Sequence, residues 1–290
     1  MKIMEKKNIY LGISIVLIVI SLLSLGIKNF NYGIDFTGGN ILQLKFEKNI
    51  DMESLDKVLE EIEIGYPVLS SRKVQISEGN VGIIRTPEIN ELEKGNILAE
   101  LEKKYLKFEI QKSDKIGSTI GKELKWKAIN ALLIASLLIV GYITIRFEFK
   151  FALAAIIALF HDVIITLGVI SLMGSEINSP FIAAVLTILG YSINDTIVVF
   201  DRIRENLKKN PSKSLGDIID NSITQVFRRS INTSVTTLLA ISAVLIFGGA
   251  SIRTFITALL IGVLAGTYSS IFVASPVVDM LEKGEKVTLK

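Results

Sequence analysis

The chain has no cysteine in its 290 residues, which excludes both disulfide frameworks and thiolate metal sites. It has one histidine, His161, and no cluster spaced to ligate zinc. No Walker motif or catalytic triad occurs, so its work is not driven by its own ATP hydrolysis, and neither an enzyme activity nor a cofactor is expected. The stretch GIDFTGGN, residues 33–40, looks like a phosphate loop only superficially. No Lys-Ser/Thr pair follows it, and it leads into a strand pattern. Gly33, Gly38 and Gly39 are expected to supply backbone freedom there instead. The net charge of +3 is spread over scattered lysines, too weak a field for nucleic-acid binding.

What the chain has in abundance is apolar sequence. Half of its residues are hydrophobic and the mean hydropathy is +0.50, although 21% are charged. These values coexist because the charges are segregated from six apolar runs: Ile9–Ile27, Ala128–Ile145, Phe151–Met173, Phe181–Phe200, Ser234–Phe247 and Phe255–Val278. A helix needs roughly 20 mainly apolar residues to cross a bilayer. Five runs come close, and the fifth, the short one, can be drawn back to Ile231. The chain is therefore a polytopic membrane protein anchored in a lipid bilayer. The first run follows Lys2, Lys6 and Lys7 but offers no small-x-small cleavage site, so it is expected to remain as an anchor.

Orientation follows from the positive-inside rule. The basic N-terminus and the tail Lys283–Lys290 are expected in the cytoplasm. With them go the loops Arg146–Lys150 and Asp201–Arg229, which carry nine Lys and Arg between them. The loops Gly174–Pro180 and Gly248–Arg253, with Arg253 alone, fall outside. Three regions result: residues 1–27 (N-terminus and span one), residues 28–127 (an exterior domain), and residues 128–290 (spans two to six with the loop 201–229).

The exterior segment is long enough for a small domain. ILQLKF alternates, with Leu42, Leu44 and Phe46 on one face. A helix follows with Leu55, Val58, Leu59 and Ile62 at helical spacing and Asp51 as its N-cap. RKVQIS and VGIIRT read as strands joined by the turn EGN, then come a helix from Glu88 to about Tyr105 and the alternating LKFEIQ. Strand-helix-strand-strand-helix-strand is a ferredoxin-like α+β pattern. In the loop 201–229, Ser214 and Asp217 form a capping box. The helical spacing of Leu215, Ile218, Ile219, Ile223, Val226 and Phe227 then predicts an amphipathic helix on the membrane surface.

The residues able to carry chemistry lie inside the spans. Asp195 sits roughly 22 Å along span four at 1.5 Å per residue from Pro180. A carboxylate at that depth costs several kcal/mol unless it faces a bundle interior or a water-filled cavity. It is either a group that binds and releases protons or an interhelical polar clasp. Tyr191 and Ser192, one turn back, and Asn194 are its supporting polar shell. His161 and Asp162, mid-way along span three, are a candidate relay or helix-to-helix hydrogen bonds, and at about 100° apart they do not face one partner together. Arg228 and Arg229 precede span five as lipid contacts or as the counter-charge of Asp195. Gly262 and Gly266 in span six fit small-xxx-small helix packing.

YGIDFTGG after span one, LFHD in span three, GYSINDTIVVFDRIREN at span four and RRSINTS entering span five together resemble the SecD/SecF family. These are accessory subunits of the bacterial Sec protein-export translocase, related to the resistance-nodulation-division transporters. The resemblance covers the whole chain. One departure is KIGSTIG, where Ser118 stands in place of the usual proline. The resemblance implies pairing with a SecD-like six-span subunit, association with the SecYEG channel in the bacterial inner membrane, and use of the proton-motive force to draw exported unfolded polypeptides outward. It also implies that Asp195, in S-I-N-D-T, carries the proton and that Arg229 is the matching arginine. A proton-coupled antiporter of small solutes or lipids and a non-transporting scaffold are the competing readings.

Overall fold

A computed structural model describes residues 2–77, 79–104, 107–249 and 252–282. The lysines of the tail 283–290 lie outside the described residues, as do Glu78 of the predicted turn, Tyr105, Leu106, Ala250 and Ser251. The chain divides into two compact units, one built from residues up to Asn31 and from Asn130 onward, the other from Tyr32–Ile129.

The first unit holds helices α1 (Lys7–Lys28), α4 (Ser118–Arg146, which begins in the second unit), α5 (Phe149–Leu172), α6 (Ser179–Lys209), α7 (Leu215–Phe247), α8 (Arg253–Ser269) and α9 (Ser275–Leu281). Among the described residues six helical stretches, with α8 and α9 counted as one, are long and apolar enough to cross a membrane, and each contains nearly all of one predicted run. Half or more of the most apolar stretch is buried in α5, α6 and α8–α9, but only 6 to 17% in α1, α4 and α7. The first group forms the centre of the bundle, and the second leaves its aliphatic side chains for lipid.

In lipid no hydrophobic force separates one apolar helix from another, so close approach depends on small residues and polar contacts. Accordingly, α1 buries Ser14, Ser21 and Ser24 while exposing Ile9, Ile13, Val16, Leu22 and Leu23. Ser21 lies so close to α5 that a Cβ on Gly168 would fall 2.2 Å from it, and Ser24 Oγ donates to Ser171 Oγ at 3.2 Å. The small-residue pattern of α8 works in the same way. A Cβ on Gly262 would lie 2.3 Å from Ile188 of α6, and one on Gly266 would lie 3.1 Å from Ser192.

Two elements differ from expectation. The segment DRIREN does not leave the helix, because α6 continues to Lys209 with Ile203, Asn206 and Leu207 buried. The predicted surface helix is instead the first part of α7, a single 33-residue helix. Nothing between the Ser214 cap, which accepts from Asp217 N at 3.2 Å, and Gly248 breaks it. Its Ile218, Ile219 and Ile223 join the bundle core rather than facing a lipid surface. The loop expected over 201–229 shrinks to the few residues at 210–214. Asn206 Nδ2 donates to Ser222 Oγ and Gln225 Oε1, both at 2.8 Å, closing the helical hairpin. At this end Asp220 of α7 accepts from the amides of Ile3 and Met4 at 2.8 and 3.0 Å, and Lys7 pairs with Asp279.

The second unit is a four-stranded antiparallel sheet of β1 (Gly39–Phe46), β2 (Lys73–Ser77), β3 (Val81–Thr86) and β4 (Phe108–Ile116), in the order β2-β3-β1-β4. Helices α2 (Met52–Glu63) and α3 (Glu91–Lys104) cover one face. Leu42, Leu44 and Phe46 share a core with Leu55, Leu59 and Ile62, as the alternation predicts. Burying each such side chain contributes about 1.5–3 kcal/mol. Asp51 caps α2 by accepting from Ser54 N at 2.7 Å. α3 starts later than Glu88 because Asn90 and Glu93 cap it reciprocally, at 2.8 and 3.2 Å. Gly38 (φ 74) and Gly39 (φ 124) do adopt conformations suited to glycine, and a Cβ on Gly39 would fall 2.3 Å from Thr86 O. Gly33, at φ −75, needs no such freedom.

Gly95 of α3 is exposed with open space around its Cβ position, so Gly95→Ala should stabilise the protein by about 0.5–1 kcal/mol. Gly262→Ala should instead cost about 1–3 kcal/mol through overpacking. Thermal unfolding of detergent-solubilised protein should place the two variants on opposite sides of the parent.

Candidate functional site

Two polar centres occupy the bundle. The first is Asp162 of α5, which is fully buried. Its Oδ2 accepts from Ser192 Oγ of α6 at 2.5 Å and from Ser269 Oγ of α8 at 2.7 Å. Its Oδ1 lies 2.8 Å from His161 Nδ1. The two adjacent side chains thus meet each other rather than a common partner, and one carboxylate ties the three central helices together. Such hydrogen bonds contribute about 0.5–1.5 kcal/mol each, and more when the acceptor is charged. Ser269 precedes a π turn, Ser270–Ala274, and Pro276, which cannot donate a backbone hydrogen bond, follows it.

The second centre is Asp195 of α6, 4% exposed, with Oδ2 buried and no hydrogen-bond partner. Arg228 and Arg229 of α7, the two candidate counter-charges, are both exposed. The shell expected around Asp195 does not form. Ser192 turns to Asp162 instead, and Tyr191 OH reaches Ser234 Oγ at 3.5 Å. Asn194 points to the exposed side. Helical spacing identified which residues share a level with Asp195, but the denser acceptor across the helix interface captured Ser192. Ser234 Oγ in turn lies 2.6 Å from Thr267 Oγ1, linking α7 to α8.

Ser14, Ser234, Thr267 and Ser269 were not foreseen. Their only signal is a hydroxyl at each of these positions in otherwise apolar runs, which a count of charges passes over. Outside the bundle's own contacts, Asn194 of α6 and Arg229 and Asn232 of α7 are exposed. The exposed Thr187, Thr233 and Thr236 are satisfied by their own helices, donating to carbonyls at 2.8–3.0 Å. Asn194, Arg229 and Asn232 make no such bond to their own helices, and a polar group facing hydrocarbon is costly. This face is therefore suited to protein or water rather than to lipid. Among the described residues no group of His, Asp and Glu is arranged to hold a metal ion.

The sequence matches the family model "Protein export membrane protein SecD/SecF, C-terminal" over residues 96–284. The chain belongs to the SecD/SecF family. A second model, the SecD/SecF GG motif, matches residues 23–50 and includes Gly38 and Gly39, whose backbone and packing require glycine. Similar proteins include the protein translocase subunit SecF of Sebaldella termitidis, 52% identical over 99% of this chain and 93% of that protein. SecF of Rickettsia felis is 41% identical over 96% and 90%. Among solved structures, SecDF from Thermus, a translocon-associated membrane protein, superposes with a TM-score of 0.90 at 37% identity over 97% of this chain. The chain spans 38% of the length of that SecDF chain.

The Asp162 centre predicts an order of stability. Asp162→Ala leaves two buried hydroxyls and an imidazole without their acceptor and should cost about 3 kcal/mol or more. Ser192→Ala or Ser269→Ala removes one donor and should cost about 1–2 kcal/mol. Thermal unfolding in detergent should rank Asp162→Ala below either serine variant. Equal losses would remove the shared acceptor as the organising contact.

Proposed function

We propose that this chain is the accessory six-span subunit of a Sec protein translocase, working with a SecD-like six-span partner beside the SecYEG channel. In this reading it uses the proton-motive force to promote export of unfolded polypeptides across the bacterial inner membrane. The observation that carries the proposal is Asp195, a carboxyl group buried within a bilayer-length helix with an unpartnered oxygen. Asn194 on the same helix and Asn232 on α7 are exposed and call for protein or water. Intramembrane acids of this kind mark proton pathways. A charge crossing the membrane is worth about 2.3 kcal/mol per 100 mV, enough to shift a two-state bundle by more than tenfold.

Asp195 binds and releases the proton, and Arg229 compensates its charge when the proton leaves. Asn194 lies on the side a partner bundle would cover. Tyr191, Ser192 and the His161–Asp162 pair hold the helices around this site. Both termini and the α6–α7 hairpin face the cytoplasm. The unit Tyr32–Ile129, close to the predicted domain 28–127, is a ferredoxin-like domain on the exterior, its strand order supporting that description. The chain supplies no ATPase of its own. Protein export is favoured over solute or lipid antiport because the similar full-length proteins are protein translocase subunits.

Two experiments test this. Asp195→Asn should insert and assemble normally yet lose gradient-driven export in proteoliposomes holding the SecD-like partner and the channel, whereas Asp195→Glu should retain part of it. Full gradient-driven export by Asp195→Asn would falsify the assignment. Because the native chain has no cysteine, single cysteines at Ser175 and Lys213 should react with an impermeant maleimide only from the outside and only from the cytoplasm, respectively.

A further inference from the structure

His161 uses only one side of its ring in the contacts described so far. Nδ1 faces Asp162, while Nε2 is buried without a hydrogen-bond partner. Ser14 Oγ of α1 is likewise buried and unpartnered. The residues themselves are 2% and 3% exposed, so bulk water satisfies neither. An unpaired imidazole nitrogen and an unpaired hydroxyl in a bundle core are each costly.

The helix register brings these two groups together. Ser21 packs on Gly168, and Ser24 meets Ser171. Both pairs belong to one parallel alignment of α1 with α5, and seven residues back along each helix, two turns, the same alignment sets Ser14 opposite His161. Tyr268 of α8 confirms the level from a third direction. Its ring stacks on His161, with centroids 6.1 Å apart and planes 18° apart. Its hydroxyl donates to Tyr10 O at 2.9 Å, the carbonyl that lies four residues before Ser14 in α1. The titratable and polar groups facing His161 are therefore Asp162 on its own helix, Tyr10 and Ser14 on α1, and Tyr268 on α8. Ser192 and Ser269 act on it through Asp162. The nearest ion pair on α1 is Lys7–Asp279, two turns toward the helix start.

We propose that Ser14 and His161 hold a buried water molecule between α1 and α5, and that this water and the His161–Asp162 pair form a proton-exchanging site separate from Asp195. Asp162 Oδ2 already accepts two hydroxyl donors, so Oδ1 accepts the proton carried by Nδ1, and Nε2 is left as an acceptor for the water. When a proton from the aqueous phase passes through the water to Nε2, leaving the water neutral, the Nδ1 proton passes to Asp162 Oδ1. One proton enters, one moves on, the imidazole stays neutral in its other tautomer, and the carboxylate becomes a carboxylic acid. Ser192 then faces a neutral acid one turn from Asp195 on the same helix, the route by which the two sites communicate. The water site stands on geometry alone. Its role as a relay rests on the proton-coupled reading given above.

The single histidine makes the test direct. The chain is labelled with ¹⁵N-histidine and reconstituted in bilayers with an unlabelled SecD-like partner, so the ring gives one pair of nitrogen signals in solid-state NMR. The expected result is a water-edited spectrum in which magnetisation from water reaches Nε2. The transfer should fall several-fold in Ser14→Ala and be kept in Ser14→Thr, which restores the hydroxyl. A dry Nε2 in the parent protein, or equal transfer in Ser14→Ala, overturns the water site. Lowering the pH from about 8 to 5 should move the ring from the Nδ1–H to the Nε2–H tautomer. Asp162→Asn should abolish that change. A tautomer fixed across the range overturns the relay. Asp195→Asn separates the two proposals, because it removes gradient-driven export while leaving the water contact at Nε2 in place.

Discussion

Asp162 is the constraint around which the bundle is built. A carboxyl group with no exposure to solvent is tolerable only when its oxygens are met by hydrogen-bond partners. Here Oδ2 accepts from Ser192 of α6 and Ser269 of α8, while Oδ1 lies against His161 Nδ1 of the same helix. Meeting that demand fixes the rotation of α6 and α8 about their own axes, since a serine hydroxyl reaches only a short distance from its backbone. It also explains why Gly266 sits one turn before Ser269. The helices must come close enough for Ser192 to pack against Gly266, with 3.1 Å left for a Cβ, before their hydroxyls can share one carboxylate.

The outer helices obey the complementary rule. Water drives apolar groups inward, but lipid does not, so the residues buried in α1 are its serines and those exposed are its isoleucines and leucines. α7 exposes polar side chains as well as aliphatic ones, and these fall into two kinds. Its threonines fold back on their own carbonyls and so carry no demand for a partner. Asn232 and Arg229 do carry one, as does Asn194 beside them on α6. A surface with this division is neither a lipid-facing wall nor a finished core, and it is the physical basis for assigning this chain a partner bundle.

Much of this was legible in the sequence, and the limits have identifiable causes. Span number and approximate position follow from long apolar runs, because crossing a bilayer is a constraint on length that local sequence expresses directly. The strands and helices of the Tyr32–Ile129 unit follow from periodicity for the same reason, and α3 started late only because the Asn90 cap outweighed the acidic first turn. Asp195 stood out because a charge in an apolar run is rare. The partners of Ser192 and Tyr191 were misassigned because helical spacing reports neighbours on one helix, whereas hydrogen bonds in a bundle are decided by what the next helix offers. The continuity of α7 was missed because a change from amphipathic to apolar composition looks like a boundary. It marks where the surroundings of the helix change, and the backbone continues through it without a break.

That continuity has a mechanical consequence. One rigid helix carries Asp220, which holds the amides of Ile3 and Met4, then Arg229, the proposed counter-charge of Asp195, then Ser234 joined to Thr267 of α8. From Asp220 to Ser234 the helix rises about 21 Å at 1.5 Å per residue. A helix without a hinge over that length moves as a unit, so any shift of Arg229 relative to Asp195 is shared by the contact that anchors the start of the chain. By contrast, α8 is interrupted by the π turn right after Ser269, a point where a helix changes register at low cost. The bundle thus combines a stiff helix at the Asp195 centre with a yielding one at the Asp162 centre. Changes in charge at the two acids are therefore expected to be expressed differently, as a rigid displacement of α7 and as a local rearrangement of α8.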